Sequence, residues 1–323
     1  MILRQVIKIF GAACAAPLSL WAQDFKMAPP VDCDLDTQCY IQQFMDHDPS
    51  TGASDMRCGP LTYDGHTGTD FAICDPRTQP DGVNVNASAA STIKARRDGF
   101  PDIAYTPTRA SELEGKGCGN GVLIAHDQGW ETQYCHLKQG SISVKVGDKV
   151  QVGDVLGKIG LTGRTQFPHV HVSVRHNGNR IDPFAPTGRL TCNASTETLW
   201  DTPLEYDAGG LLSLRFFDYL PKIETLRFGR ETAPLTNQSP AIVIAAFGFG
   251  VQKGDTITLR IDGPRSTVFE HSVPMDRNQA QFMRSGGKKL SRRIWCSGEY
   301  HATATMTRNG QIISELKSAI TVP

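Results

Sequence analysis

The sequence predicts an all-β protein of two domains, and three observations carry that expectation. Between residues 56 and 190, Gly-rich turns separate short runs in which Val83, Val85 and Ala87 alternate with polar residues. Within the same stretch, 121–126 and 132–137 flank Asp127-Gln128-Gly129-Trp130 as the arms of a hairpin. From 191 onward strand-like runs recur at 211–217, 242–247, 256–261, 300–307 and 311–316. Asn309-Gly310 joins the last two as a strong hairpin signal. Short strands with regular turn signals argue an Ig-like β-sandwich for 191–323.

The remaining boundaries follow from composition. Residues 1–22 read as a secretory signal: Arg4 and Lys8 supply the basic start, 9–20 the apolar stretch, and Trp21-Ala22 the cleavage point. Cys14 lacks the Leu of a lipidation box, which favours a product without a lipid anchor. Residues 23–55 form an N-terminal segment leading into the first domain, with Cys33 to Cys39 as a small loop followed by an extended run. The longest apolar run, 241–251, has 11 residues and includes Gly248 and Gly250. It falls well short of the ~20 needed to cross a bilayer, so no membrane span is expected. The chain has 33 basic and 33 acidic residues. Without 1–22 the balance is 31 against 33, a net of −2, which gives no electrostatic case for nucleic acid or an anionic membrane.

Nine cysteines less Cys14 leave eight, an even set that behind a secretory signal suggests disulfides. Local pairing is expected: Cys33–Cys39, Cys58–Cys74, Cys118–Cys135 and Cys192–Cys296. On an extended strand Cys135 would point away from His136, which argues against it as a ligand.

The chemistry concentrates in three motifs: Gly65-His66-Thr67-Gly68-Thr69-Asp70, Tyr134-Cys135-His136-Leu137 and Pro168-His169-Val170-His171-Val172. On a strand, His169 and His171 share one face while Val170 and Val172 take the other. His66 and Asp70 also share a face if their segment is extended. Two imidazoles and one carboxylate form a known catalytic zinc set with room for water, although spacing alone leaves other divalent metals open. Other candidates are weaker. His47 between Asp46 and Asp48 reads as a solvated acidic turn, His126 as a strand end, and His271 and His301 as isolated. Ser141 and Ser143 lack a nucleophile-elbow context. Lys145, Lys149 and Lys158 lack the exposed hairpin of a lipoyl or biotinyl carrier. Arg284, Lys288, Lys289, Arg292 and Arg293 read as a solvated basic face.

Together these motifs resemble the M23 family of zinc metallopeptidases, of the lysostaphin and LytM type. That family carries H-x(3)-D early, T-x-Y-x-H-L between and H-x-H late. Here these are His66/Asp70, Thr132 to Leu137, and His169/His171. The turn-rich stretch 144–157 and Gly160-Leu161-Thr162-Gly163 match as well, so the resemblance spans about residues 56 to 186. It implies an antiparallel β-sheet peptidase domain over 56–190. It also implies one Zn²⁺ per chain on His66, Asp70 and His171, with His136 and His169 as the non-ligand catalytic pair. Tyr63 and Tyr134 are possible oxyanion donors. The implied substrate is the peptide part of peptidoglycan, in the periplasm or outside the cell. The 191–323 domain would position substrate, cover the catalytic domain or bind a cell-wall protein partner. Two other readings share the fold: a non-enzymatic activator of wall amidases, with the site occluded by 23–55 or 97–117, and a toxin-like secreted protease.

Overall fold

The computed structural model describes residues 25–187, 197–291 and 293–323; the expected signal segment and Cys192 lie outside them. The first unit contains β1 (Cys39–Gln43), β2 (Thr69–Ile73), β3 (Asn84–Asn86), β4 (Ser91–Arg97), β5 (Gly121–Ala125), β6 (Trp130–Cys135), β7 (Lys149–Val150), β8 (Val155–Lys158), β9 (His169–His176) and β10 (Asn179–Ile181). One antiparallel sheet runs β1-β2-β9-β6-β5-β4-β7, with β10 paired to β9; β3 and β8 form a separate ribbon.

The sequence of β9 explains its central place. Val170, Val172 and Val174 are at most 1% exposed and pack with Phe71, Ile124 and Tyr134. β-Branched side chains suit a pleated, buried surface, and each contributes about 1.5–3 kcal/mol on burial. The alternate positions, His169, His171 and Ser173, face the opposite side. A one-residue slip of register would exchange the two sets. Thus the core that stabilises β9 also fixes where its histidines point.

The N-terminal segment is built into this unit. Every residue of β1 is buried, β1 pairs with β2, and Met27 and Phe44 join the core. His47 is not part of a solvated turn. Its Nε2 lies 2.6 Å from Asp182 Oδ2, with side-chain exposures of 10% and 2%, and it clips the segment to the turn after β10.

Two expected bridges are present, Cys33–Cys39 and Cys118–Cys135. Two are not. Cys74 is a free buried thiol and Cys296 is also free, while Cys58 is bonded elsewhere. Cys74 lies just beyond β2, facing the core rather than Cys58. The sequence offered only proximity along the chain as a guide, and proximity failed here.

The second unit holds β11 (Gly210–Phe217), α1 (Ile223–Arg227), β12 (Ala241–Val251), β13 (Thr256–Asp262), β14 (Thr267–Pro274), β15 (Gln279–Lys289), β16 (Gly298–Arg308) and β17 (Gln311–Val322). They form two antiparallel sheets, β11-β12-β15 and β14-β13-β16-β17. Ile242, Ile244, Ile257, Leu259, Ala304 and Met306 fill the space between them. The other face of β12, with Val243, Ala245 and Phe247, packs on Phe217 and Leu226. Burial on both faces explains the continuous apolar run at 241–251. Sequence reading missed β14 and β15, whose polar residues hide the alternation. Arg284, Lys288 and Lys289 of the basic run are strand residues of β15. No helix among the described residues is long and apolar enough to cross a membrane.

The two units meet at β1. Tyr40 packs on Phe249 with ring centroids 4.6 Å apart. Gln42 Nε2 donates to the Ala280 carbonyl at 2.8 Å, and Gln281 Nε2 donates to the Tyr40 hydroxyl and to Gln42 Oε1, each at 3.1 Å.

The Asp182 hydrogen bond raises the His47 pKa above its ordinary 6.5, against the opposing effect of burial. A raised histidine contributes stability that is fully present below 6.5 and lost as pH rises through the raised value. His47→Gln is therefore expected to cost about 1–3 kcal/mol near pH 6 and much less near pH 9. Urea unfolding at the two pH values checks this; an equal cost at both would contradict it.

Candidate metal centre

Three donor atoms converge on the polar face of the first sheet. Asp70 on β2 pairs directly with His171 on β9, so their side chains stand together. His171 Nδ1 is 2.8 Å from Asp70 Oδ1. His66 sits in the loop before β2 rather than on an extended strand. Its Nε2 lies 3.2 Å from Asp70 Oδ1 and 3.1 Å from His171 Nδ1. Gly68 permits this approach: a Cβ there would lie 2.3 Å from the Val172 carbonyl oxygen and 2.8 Å from His171 Nε2.

The proton positions follow from the acceptors. His66 Nδ1 faces the Phe44 carbonyl at 2.6 Å, and a carbonyl only accepts, so Nδ1 carries the hydrogen. Nε2 then holds a lone pair beside a carboxylate oxygen. Two electron-rich buried atoms at that distance repel unless a proton or a cation lies between them. The same demand appears in the titration. Burial opposes a charged His66, yet the adjacent Asp70 outweighs it and raises the pKa. Burial likewise opposes ionised Asp70, but His66 and His169 hold its carboxyl well below the usual range. His171 Nε2 is 3.0 Å from Ser173 Oγ, a hydroxyl that serves as acceptor when Nδ1 must present its lone pair. In a tetrahedral zinc site with ligands at ~2.0–2.1 Å, the donors sit roughly 3.3–3.4 Å apart. Separations of 3.2, 3.1 and 2.8 Å lie close to that triangle, so His66, Asp70 and His171 could hold one divalent cation.

Two further imidazoles border the cluster. His169 is paired in register with Ala72. Its Nδ1 donates to the Phe167 carbonyl at 3.0 Å, Thr165 Oγ1 is 3.1 Å away, and Phe167 stacks on the ring at 4.4 Å. That turns Nε2 toward the cluster, 3.4 Å from Asp70 Oδ1. His136 donates from Nδ1 to the Thr162 carbonyl at 2.7 Å, which also frees its Nε2. Burial first, then His169 and His171, pushes the His136 pKa well below its ordinary 6.5. The rings of His136 and His169 are 4.8 Å apart.

His136 has a φ of +66°, an uncommon conformation for a residue with a side chain. It ends β6, so alternation does not extend from Cys135 to His136. Cys135 is in fact the register partner of His171 and lines the polar side with it. The expectation that Cys135 points away from His136 is therefore corrected, while its expected bridge to Cys118 is present and takes up its sulfur. The Cys118 carbonyl also accepts from the His136 backbone N–H at 2.9 Å. Gly163, with φ +82°, lets the Thr162 loop pass close to Gly117 and Gly119.

A groove of about 850 Å³ exposes this cluster. Tyr63, Tyr105, Arg164 and Phe167 wall it from the first unit, and Gln42 and Gln43 from β1. Arg227, Ala280 and Gln281 wall it from the second unit. Segments 23–55 and 97–117 thus border the site without filling it. Tyr63 is 53% exposed with its ring 4.6 Å from His66. Tyr134 is fully buried on the core face, its hydroxyl accepting from the Ser88 N–H at 2.8 Å, and so does not reach the groove. Sequence reading missed Ser173, Thr165, the Phe44 and Thr162 carbonyls, and Arg227. The Phe44 and Arg227 contacts are long-range and leave no local pattern; Ser173, two residues after His171 on the same strand face, was the one with a usable signal.

Residues 78–183 match the sequence family described as Peptidase family M23. The match takes in His136, His169 and His171, while His66 and Asp70 precede it. The chain is 35% identical over 135 residues to DD-carboxypeptidase/endopeptidase Mpg of Neisseria meningitidis serogroup B, covering 40% of this chain and 25% of that protein. It is 32% identical over 117 residues to peptidoglycan DD-endopeptidase ShyA of Vibrio cholerae, covering 36% of this chain and 22% of that protein. The chain therefore spans about a quarter of the length of these curated relatives. A solved structure of a putative peptidase M23 from Pseudomonas aeruginosa is 29% identical, covers 51% of each chain and has a TM-score of 0.30.

Zinc titration calorimetry checks the donor assignment. Wild type is expected to bind one ion per chain and Asp70→Ala none, while Ser173→Ala weakens affinity about 10–100-fold by loosening His171. Unchanged binding by Asp70→Ala would contradict it.

Proposed function

We propose that this chain, which belongs to peptidase family M23, is a zinc-dependent endopeptidase that hydrolyses peptide bonds in peptidoglycan stem cross-links or bridges. The observation that carries the reading is an intact three-donor cluster beside two further imidazoles in an open groove. The activities for which the relatives are named, DD-carboxypeptidase/endopeptidase and peptidoglycan DD-endopeptidase, support the substrate class. The mixed imidazole and carboxylate donors suit zinc.

When bound, the ion supplies polarisation of the scissile carbonyl and acidification of water. The protein's own groups do the rest. His136 stays neutral at physiological pH because burial disfavours its charged form, and its free Nε2 accepts the proton of the attacking water. His169, locked by the Phe167 carbonyl and stacked on that ring, presents a second Nε2 to orient the water and later carry a proton. Tyr63, exposed beside His66, is placed to donate to the developing oxyanion. Tyr134 has no such role. The Cys33–Cys39 and Cys118–Cys135 bridges support an oxidising compartment, periplasmic or external.

The test is digestion of purified peptidoglycan by zinc-loaded protein, read by mass spectrometry of the released muropeptides. Wild type is expected to convert cross-linked fragments to shorter ones. His136→Ala should retain one zinc per chain and lose at least about 10²-fold in rate. Normal digestion by that variant would overturn the role of His136, and no digestion by wild type would overturn the substrate.

A further inference from the structure

We infer that Arg227, delivered by the second β unit, anchors a free carboxylate of the substrate, so that the groove takes an acidic stem peptide rather than a neutral bridge; this rests on the peptidase reading above. Arg227 ends α1 and lines the same groove as Asp70, His136, His169 and His171. Its Nε is buried with no hydrogen-bond partner. Among the described residues its guanidinium makes no ion pair. Other arginines of this chain are paired at short range: Arg308 with Asp255 at 2.8 Å, Arg77 with Asp75 at 2.6 Å and Arg260 with Asp262 at 2.7 Å.

The groups around Arg227 are already committed. The Tyr40 hydroxyl donates to Gln42 Oε1 at 2.6 Å and accepts from Gln281. Glu224, on the same helix, is exposed and leaves Arg227 unpaired. Burial accordingly lowers the Arg227 pKa, against a smaller opposing effect of Glu224 and Tyr40. On the first unit's wall, Arg164 is exposed, with its guanidinium carbon 5.4 Å from the Tyr105 ring centroid. The acids of the groove are Asp70, engaged by histidines, and exposed Asp64. A half-buried guanidinium short of an acceptor is matched by a carboxylate, which takes two parallel N–H bonds in the plane of the fork. A neutral peptide bridge offers only carbonyls and would leave that charge uncompensated.

Binding of a synthetic stem-type tetrapeptide with free carboxylates is compared with that of its fully amidated form. The zinc-loaded protein carries His136→Ala so that bound peptide is not consumed, and calorimetry gives both Kd values. The free acid is expected to bind at least about tenfold tighter. Arg227→Met should bring the ratio to about one, and Arg227→Lys, which keeps charge without the fork, should fall between. Zinc stoichiometry verifies the fold of each variant, and Arg227→Gln replaces the Met variant if the latter fails to hold zinc. No preference for the acid, or a preference that survives loss of the guanidinium, overturns the anchor. A ten-fold preference in protein whose wild type digests no peptidoglycan would leave the anchor standing and remove the peptidase reading. Digestion of wall material with no preference would do the reverse.

Discussion

The polar cluster of the first unit is built around a repulsion. A histidine whose proton is committed to a backbone carbonyl turns its lone pair on a buried carboxylate, with a second histidine nitrogen at similar distance. Such a cluster is costly in a low-dielectric surrounding unless a positive charge sits within it. The fold tolerates the arrangement because its parts are fixed independently of it. Strand pairing sets Asp70 against His171, Gly68 admits His66, and the Phe44 carbonyl holds the His66 ring. A divalent ion held by the three donors would convert that cost into binding.

The same economy of design appears in the tautomers. His66, His136 and His169 each give their Nδ1 hydrogen to a main-chain carbonyl, of Phe44, Thr162 and Phe167. Each therefore presents Nε2 inward. His171 is reversed, presenting Nδ1 and resting Nε2 on Ser173. Backbone acceptors cannot change their role, so three of the four rings are committed before any ligand arrives. The second unit adds a wall rather than a catalytic group. Its β15 and α1 bring Gln281 and Arg227 to the groove, held by the β1 contacts of Tyr40 and Gln42.

The chemistry was more legible in the sequence than the framework that supports it. His169-Val170-His171-Val172 announces a strand with opposed polar and apolar faces, and the structure places it so. The five strand runs noted after 191 coincide with β11, β12, β13, β16 and β17, whereas β14 and β15 escaped because their exposed polar residues mask alternation. The extended run expected after the Cys33–Cys39 loop is β1, but its place as a buried strand of the sheet was not legible, since Cys39 to Gln43 carries no obvious period. Two of the expected cysteine pairs are present and two do not form, Cys74 and Cys296 being free, because pairing follows where strands turn in space and not distance along the chain. The orientation of Cys135 was misjudged because alternation was carried through His136, where positive φ breaks the strand.

The most direct measurement of the central claim is X-ray absorption at the zinc edge on the zinc-loaded protein. A first shell of nitrogen and oxygen alone at about 2.0–2.1 Å is expected, with the outer-shell signature of two imidazoles. A protein that retains no zinc, or a sulfur scatterer near ~2.3 Å, would contradict it.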